Sequence, residues 1–98
     1  MDFLELKKQF ESKLNKDFEL LELHYTPFDF GSGMTAYKSK GQIIKIIYDG
    51  KDNLVELLIS ASHDKYSNAS WTTIYTGLPE DFIENGILNL NRSNGKIA

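Results

Sequence analysis

The sequence predicts an α+β fold in which an N-terminal amphipathic helix packs on an antiparallel five-stranded, meander-type sheet. Three observations support it: an apolar stripe with helical spacing, five strand-like segments joined by turn-forming links, and an alternation that leaves one sheet face uncharged. A short C-terminal helix follows, so the predicted order is α-β-β-β-β-β-α. We expect residues 1–90 to form a single domain and residues 91–98 to be a frayed tail.

Residues 2–16 are predicted to form the first helix. An apolar residue recurs at spacings of three and four, at Phe3, Leu6, Phe10 and Leu14. Lysines and glutamates occupy the other face, which is typical of a helix that docks on a sheet. Asp2 and Glu5 have the spacing of a capping box, so the helix should begin there.

Five segments have the composition of strands: residues 18–25, 34–39, 42–49, 54–60 and 71–76. The short links at 40–41 and 50–53 are rich in turn formers, so the middle three strands should form two hairpins. These hairpins would pair Ala36 with Lys45 and Ile46 with Leu57. The pattern does not determine where the first and fifth strands lie in the sheet.

The predicted pairings divide the sheet into two faces. One face carries no charge and should meet the first helix; it contains Tyr37, Ile44, Ile46, Tyr48, Val55, Leu57 and Ile59. The other face is half apolar and places Lys45 and Glu56 as diagonal neighbours that could form an ion pair. A register slip of one residue would exchange the two faces, so burial of the uncharged one should fix the register.

The second helix is predicted by its terminal signals. Pro79 suits the first helical position, and Glu80 and Asp81 suit the positive end of the helix dipole. Gly86 supplies a stop.

Composition excludes several classes of function. The chain has no cysteine, so it has neither a disulfide framework nor a thiolate metal site, which is consistent with a reducing cytoplasm. The net charge of -3 is spread along the chain without a basic patch, so we expect no nucleic-acid partner. No run of 18 apolar residues occurs, so we expect no membrane association either.

The stretch "SHDKYSNASW", residues 62–71, resembles a catalytic loop but is better explained as a strand connection. His63 and Asp64 are adjacent, and neighbouring side chains of an extended chain point to opposite sides. A metal site would have to draw on His24, His63, Asp29, Asp49 and Asp64, which lack the spacing of a known ligand motif. We therefore predict no catalytic residues, no metal, no cofactor and no enzymatic activity.

The stretch "FDFGSG", residues 28–33, contains two incomplete motifs. Asp29-Phe30-Gly31 matches the magnesium motif of protein kinases, but 98 residues cannot hold a kinase. Gly31-Ser32-Gly33 lacks the lysine and the following helix of a phosphate-binding loop. We interpret the segment as a loop that redirects the chain between the first two strands.

Aromatic residues gather at the two long loops. Tyr25, Phe28 and Phe30 flank the first loop, and Tyr66, Trp71 and Tyr75 flank the second, where His63 also lies. If both loops lie at one end of the sheet, these seven residues would form a binding surface for a partner. The alternative is that about half of the rings complete a small core.

We therefore expect a non-catalytic protein-binding module that works in the cytoplasm with a protein partner. In size and architecture it resembles small bacterial immunity or inhibitor proteins and chaperone-like proteins, without a shared motif. The alternative is a small-molecule-binding domain whose pocket lies between helix and sheet, lined by Tyr37, Tyr48, Tyr75 and His24. A homo-oligomer formed through the face of Lys45 and Glu56 is compatible with either function.

Overall fold

The computed structural model describes residues 2–14, 18–39, 42–61 and 70–86. Its elements are α1 (Phe3–Lys13), β1 (Glu19–Thr26), β2 (Ser32–Ser39), β3 (Gln42–Asp49), β4 (Leu54–Ala61), β5 (Thr72–Gly77) and α2 (Pro79–Asp81), the last continuing as a π-helical turn, Phe82–Gly86. The predicted fold class and order of elements are confirmed. The predicted tail at 91–98 lies outside the described residues.

The five strands form one antiparallel sheet in the order β1-β2-β3-β4-β5, so every strand pairs with its neighbour in sequence. Ala36 pairs with Lys45 and Ile46 with Leu57, as the two hairpin links predicted. The order places β1 and β5 at the two edges of the sheet, which the alternation alone did not determine.

Both edge strands contain a β-bulge. In β1, Leu20 pairs with Tyr37 and Glu22 with Ala36, so Leu21 is the extra residue. In β5, the register shifts opposite Leu57 and Leu58, where Ile74 is the extra residue. A bulge places two residues of one strand opposite one residue of its neighbour and increases the local twist, so neither edge is a flat, regular strand.

α1 begins as its capping signal predicted. The Asp2 side chain accepts a hydrogen bond from the Glu5 N–H at 3.0 Å, which satisfies one of the donors that the first helical turn leaves free. The helix ends at Lys13, earlier than the predicted residue 16, because Leu14 has an extended backbone conformation.

The apolar stripe of α1 packs on the uncharged face of the sheet, and this contact forms the core. The buried cluster consists of Phe3, Leu6, Phe10, Leu14, Tyr37, Ile44, Ile46, Tyr48, Val55, Leu57 and Phe82. The Phe3 ring lies directly over Gly33, where a Cβ atom would overlap it, and stacks on Tyr25 with ring centroids 6.1 Å apart. Gly33 therefore lets the first turn of α1 approach the start of β2.

The C-terminal helical segment extends the same core. Pro79 occupies the start of α2, as predicted, and the following turn buries Phe82. The ring centroid of Phe82 lies 5.5 Å from that of Phe10 and 5.6 Å from that of Tyr75. Phe82 thus connects α1 to β5, which no periodicity in the short segment had indicated.

The opposite face of the sheet carries Lys45, which contacts an aromatic ring. Lys45 places its ammonium 4.3 Å from the centroid of the Trp71 ring, and no ion pair joins Lys45 to Glu56 within the described residues. Lys45 pairs with Leu58 and Ile47 with Glu56, so Lys45 and Glu56 are diagonal neighbours as predicted. The Lys45 ammonium contacts the Trp71 ring, whose face attracts a cation. Ala36 and Ile43 are buried on this face, although they lie outside the main cluster.

The hydroxyl group of the buried residue Tyr37 has a hydrogen-bond partner on α1. It donates a hydrogen bond of 2.6 Å to Glu11 Oε2, and Lys7 Nζ lies 2.7 Å from the same oxygen. Burial first, and then the hydrogen bond to the Glu11 carboxylate, raise the pKa of Tyr37 far above its ordinary value. A polar contact at the edge of an apolar core thereby fixes α1 to β2.

Truncation of the central core should destabilise the fold. Ile46→Ala or Leu57→Ala should each lower the free energy of unfolding by about 2–5 kcal/mol, because each leaves a cavity under α1. Ile47→Ala, on the opposite and partly exposed face, is the matched control and should cost less. Chemical denaturation measures all three, and equal midpoints for the three variants would contradict the assignment of faces.

Alkaline pH should destabilise the protein through Tyr37. Its pKa in the folded state exceeds that of the unfolded chain, about 10, so the unfolded state loses this proton first as pH rises. The contribution is fully present below about pH 10 and is lost above it, by up to about 1.4 kcal/mol per pH unit. Tyr37→Phe should remove this proton from the difference between the folded and unfolded states, and should therefore make the free energy of unfolding fall less steeply above about pH 10.

The control for this pH experiment is Ile46→Val, which should cost about 0.5–1.5 kcal/mol without removing a titrating group. Urea denaturation from neutral pH to about pH 11 measures the slope for both variants. An unchanged slope in Tyr37→Phe would contradict the folded-state environment assigned to this tyrosine.

Candidate functional site

The loop between β1 and β2, residues 27–31, carries the two most exposed large apolar side chains of the described chain. Phe28 is fully exposed, and Phe30 is 66% exposed. Neither ring belongs to the buried cluster or packs against it. The fold is therefore complete without these rings, and we call residues 27–31 the aromatic loop.

Hydrogen bonds hold the aromatic loop in two successive turns. The Asp29 N–H donates to the Thr26 carbonyl, and the Ser32 N–H donates to the Asp29 carbonyl, each at 3.0 Å. The Thr26 hydroxyl also donates to the Ser32 carbonyl at 3.1 Å, which joins the two ends of the loop. The loop is therefore braced by its own backbone, although its rings extend into solvent.

The second of these turns places an aromatic residue in a left-handed conformation. Phe30 has φ 56° and Gly31 has φ 73°, and positive φ at both central residues is the pattern of a type I′ turn. Gly31 adopts this conformation without penalty, but a residue with a Cβ atom loses about 1–2 kcal/mol. Phe30 is therefore both strained and exposed, which makes it a candidate functional position.

The β3–β4 turn supports the aromatic loop from the side. The Gly50 N–H donates to Ser32 Oγ at 2.9 Å. A Cβ atom at Gly50 would overlap the Phe30 carbonyl, so only glycine fits against this part of the loop. The sequence marked Gly50 only as a turn former, because the close approach joins residues that are far apart in the chain.

Five acidic residues from four separate segments of the sequence lie at the same end of the molecule as the aromatic loop. The start of α1, the β1–β2 loop, the β3–β4 turn and the segment after β5 all meet at this end of the meander. They contribute the residues that we call the acidic rim: Asp2, Asp29, Asp49, Asp52 and Glu80. Charge that is spread along the sequence is thus concentrated by the fold.

The electrostatic effect of the rim is evident at Tyr48. Burial raises the pKa of this tyrosine, and the carboxylates of Asp2, Glu80 and Asp49 raise it further because they disfavour a phenolate. The Asp49 side chain also accepts hydrogen bonds from the N–H groups of Lys51 and Asp52, so it stabilises the turn as well.

Trp71, which flanks the second predicted loop, lies at the opposite end of the sheet from the aromatic loop. The aromatic loop follows the end of β1, whereas Trp71 directly precedes the start of β5, which the antiparallel order places at the other end of the sheet. His63 and Tyr66 lie outside the described residues. The half-buried Trp71 contacts Lys45, far from Phe28 and Phe30.

Two of the predicted binding residues contribute to the core. Tyr25 and Tyr75 pack against the buried cluster, Tyr25 by stacking on Phe3. The Tyr75 hydroxyl donates to the Leu78 carbonyl at 3.1 Å. Of the predicted residues that the structure describes, only Phe28 and Phe30 present their rings freely to solvent.

The residues predicted to line a small-molecule pocket do not converge. The Tyr37 hydroxyl is bonded to Glu11, and the Tyr48 hydroxyl donates to Asn53 Oδ1 at 3.2 Å. His24 pairs with Met34 on the face away from α1, where its Nε2 lies 2.8 Å from Glu22 Oε2. The uncharged sheet face is covered by side chains of α1 that are themselves buried.

The described part of the chain contains no group of three or more His, Cys, Asp or Glu side chains that could hold a metal ion. Within the same residues, no helix is long and apolar enough to cross a membrane. Comparison with known proteins found no matching family model, no matching curated protein and no matching solved structure. The function is therefore inferred from the surface itself.

The left-handed conformation of Phe30 gives a measurable difference between two substitutions. Phe30→Asn and Phe30→Ala both remove the ring, but asparagine tolerates positive φ better than alanine. We expect Phe30→Asn to be more stable than Phe30→Ala by about 0.5–1 kcal/mol in chemical denaturation.

The same two substitutions at Phe28, which is exposed without positive φ, provide the control and should give equal stabilities. Equal stabilities at both positions would show that residue 30 does not adopt the left-handed conformation in solution.

Proposed function

We propose that this chain is a non-catalytic protein-binding module that contacts its partner through the aromatic loop. The single observation that supports this proposal most is the exposure of Phe28 and Phe30 on a hydrogen-bonded, strained loop. Exposed aromatic anchors on a rigid support are typical of the centre of a protein interface. A phenylalanine can bury about 150–250 Å² of surface when a partner covers it.

The rigidity of the loop favours binding as much as the rings do. A flexible loop loses conformational freedom when a partner fixes it, and that loss weakens the affinity. Here the hydrogen bonds at Asp29 and Ser32, together with the contact of Gly50, hold the loop before a partner arrives. The gain from covering the two rings is therefore largely retained as binding free energy.

The small size and the single helix-on-sheet layer suit a bacterial inhibitor or immunity protein, or a chaperone-like protein, acting in the cytoplasm. A small-molecule pocket between α1 and the sheet has less support, because buried apolar side chains fill that space. The tyrosine hydroxyls that would line such a pocket are also engaged elsewhere.

The test is a pull-down of the tagged full chain from its source organism at native expression, analysed by mass spectrometry. The wild type is compared with the Phe28→Ser/Phe30→Ser double variant. Leu20→Ser is the matched control, because it removes an exposed apolar side chain at the other end of β1. Circular dichroism first establishes that all three proteins are folded.

We expect one stoichiometric protein to be retained by the wild type and by Leu20→Ser, and to be lost by the double variant. With that protein purified, calorimetry should show each serine substitution weakening the affinity by about 2–4 kcal/mol, the range of an interface hot spot. Equal retention by the double variant, or no partner with the wild type, would refute the proposal.

A further inference from the structure

The surface around the aromatic loop has the composition of an interface with an apolar centre and a charged margin. Phe28 and Phe30 provide the centre. The acidic rim lies on the segments that meet at the same end of the sheet, with Asp29 between the two rings in sequence and Asp2 next to Gly31. Buried aromatic anchors within a polar margin are the usual anatomy of a protein interface.

The acidic rim is not neutralised within the described chain. Within the described residues, Lys7 forms an ion pair with Glu11, and His24 Nε2 lies 2.8 Å from Glu22 Oε2. Neither contact includes a member of the rim. Lys51 is the one lysine that the described residues place in this region, against five carboxylates. Among the described residues, the end that carries the aromatic loop therefore has an excess of negative charge, although the whole chain has a net charge of only -3.

This charge restricts the partners that the loop can accept. Covering Phe28 and Phe30 also removes water from the neighbouring carboxylates, and a carboxylate that loses water without gaining a positive partner is destabilised. An acidic or uncharged surface would therefore oppose the contact that the rings favour. A surface with arginine or lysine around an apolar recess would satisfy both parts of the site.

We propose that the partner of this module is a basic protein surface with an apolar recess that receives Phe28 and Phe30. Its arginine and lysine side chains pair with the acidic rim. This inference rests on the proposed function and specifies the chemistry of the partner at the same site.

The first experiment uses two short synthetic peptides as defined probes. One alternates leucine with arginine, and the other replaces every arginine with glutamate. Each peptide is titrated into the ¹⁵N-labelled full chain at about 50 and about 300 mM NaCl, because added salt screens exposed charges. We expect the arginine peptide to shift the amide resonances of residues 28–33 and 49–53, and to bind at least about tenfold more tightly than the glutamate peptide.

Variants separate the contribution of charge from that of the rings. Asp29→Asn/Asp52→Asn/Glu80→Gln removes three rim charges and retains Asp2 and Asp49, which stabilise the helix and the turn. It should weaken binding of the arginine peptide at least about fivefold at low salt and have little effect at high salt. Glu19→Gln, at the other end of β1, is the matched control and should bind like the wild type.

Equal binding of both peptides, or resonance shifts confined to other parts of the chain, would overturn the basic-partner inference. So would sedimentation showing that the wild type dimerises and that the Phe28→Ser/Phe30→Ser variant does not, because a second copy of the chain would then cover this loop.

The purified partner then distinguishes the two proposals. If its binding requires Phe28 and Phe30 but is insensitive to salt and to the triple charge variant, the proposed protein-binding function is supported and the inference of a basic partner is wrong. If its binding requires neither ring, the proposed function itself fails.

Discussion

The packing of a single helix against one face of the sheet is the constraint on which the remaining structure depends. Alternation along β2, β3 and β4 places the large apolar side chains on the face that α1 covers. A slip of one residue would expose them, so the core fixes the register of each hairpin. The contact of Glu11 with Tyr37 adds a polar link between α1 and the sheet.

The same packing positions the aromatic loop. Phe3 rests on Gly33, which brings the start of α1 beside the start of β2 and places Asp2 near Gly31. On the other side, Gly50 in the β3–β4 turn packs against the Phe30 carbonyl group. The loop is therefore held between two elements that the core has already fixed, and its exposed rings need no packing of their own.

Local patterns in the sequence were sufficient for the parts of the fold that depend on neighbouring residues. The stripe from Phe3 to Leu14 identified the buried face of α1, and the short links identified both central hairpins. The candidate site depends instead on contacts between distant segments. The strand order brings the residues of the acidic rim to one end of the sheet. The positive φ of Phe30 could not be predicted from its residue type, because phenylalanine rarely adopts that conformation.

The location of the other aromatic residues shows the same limit. Tyr25 and Tyr75 border loops in the sequence, yet the side toward which a ring points depends on strand register, and β5 contains a shift. Both rings pack against the core. Proximity to a loop therefore did not distinguish a ring that completes the interior from one that remains on the surface.

The bulges of the two outer strands have a consequence for how this molecule can meet others. An open sheet normally offers its outer strands as templates on which another chain can add a strand through main-chain hydrogen bonds. Leu21 and Ile74 interrupt the regular spacing of donors and acceptors that such an addition would continue. Sequence-independent recruitment, including the edge-to-edge addition of strands that builds fibres, is thereby disfavoured. Binding of another protein to this molecule therefore depends on side-chain contacts, which distinguish one partner from another.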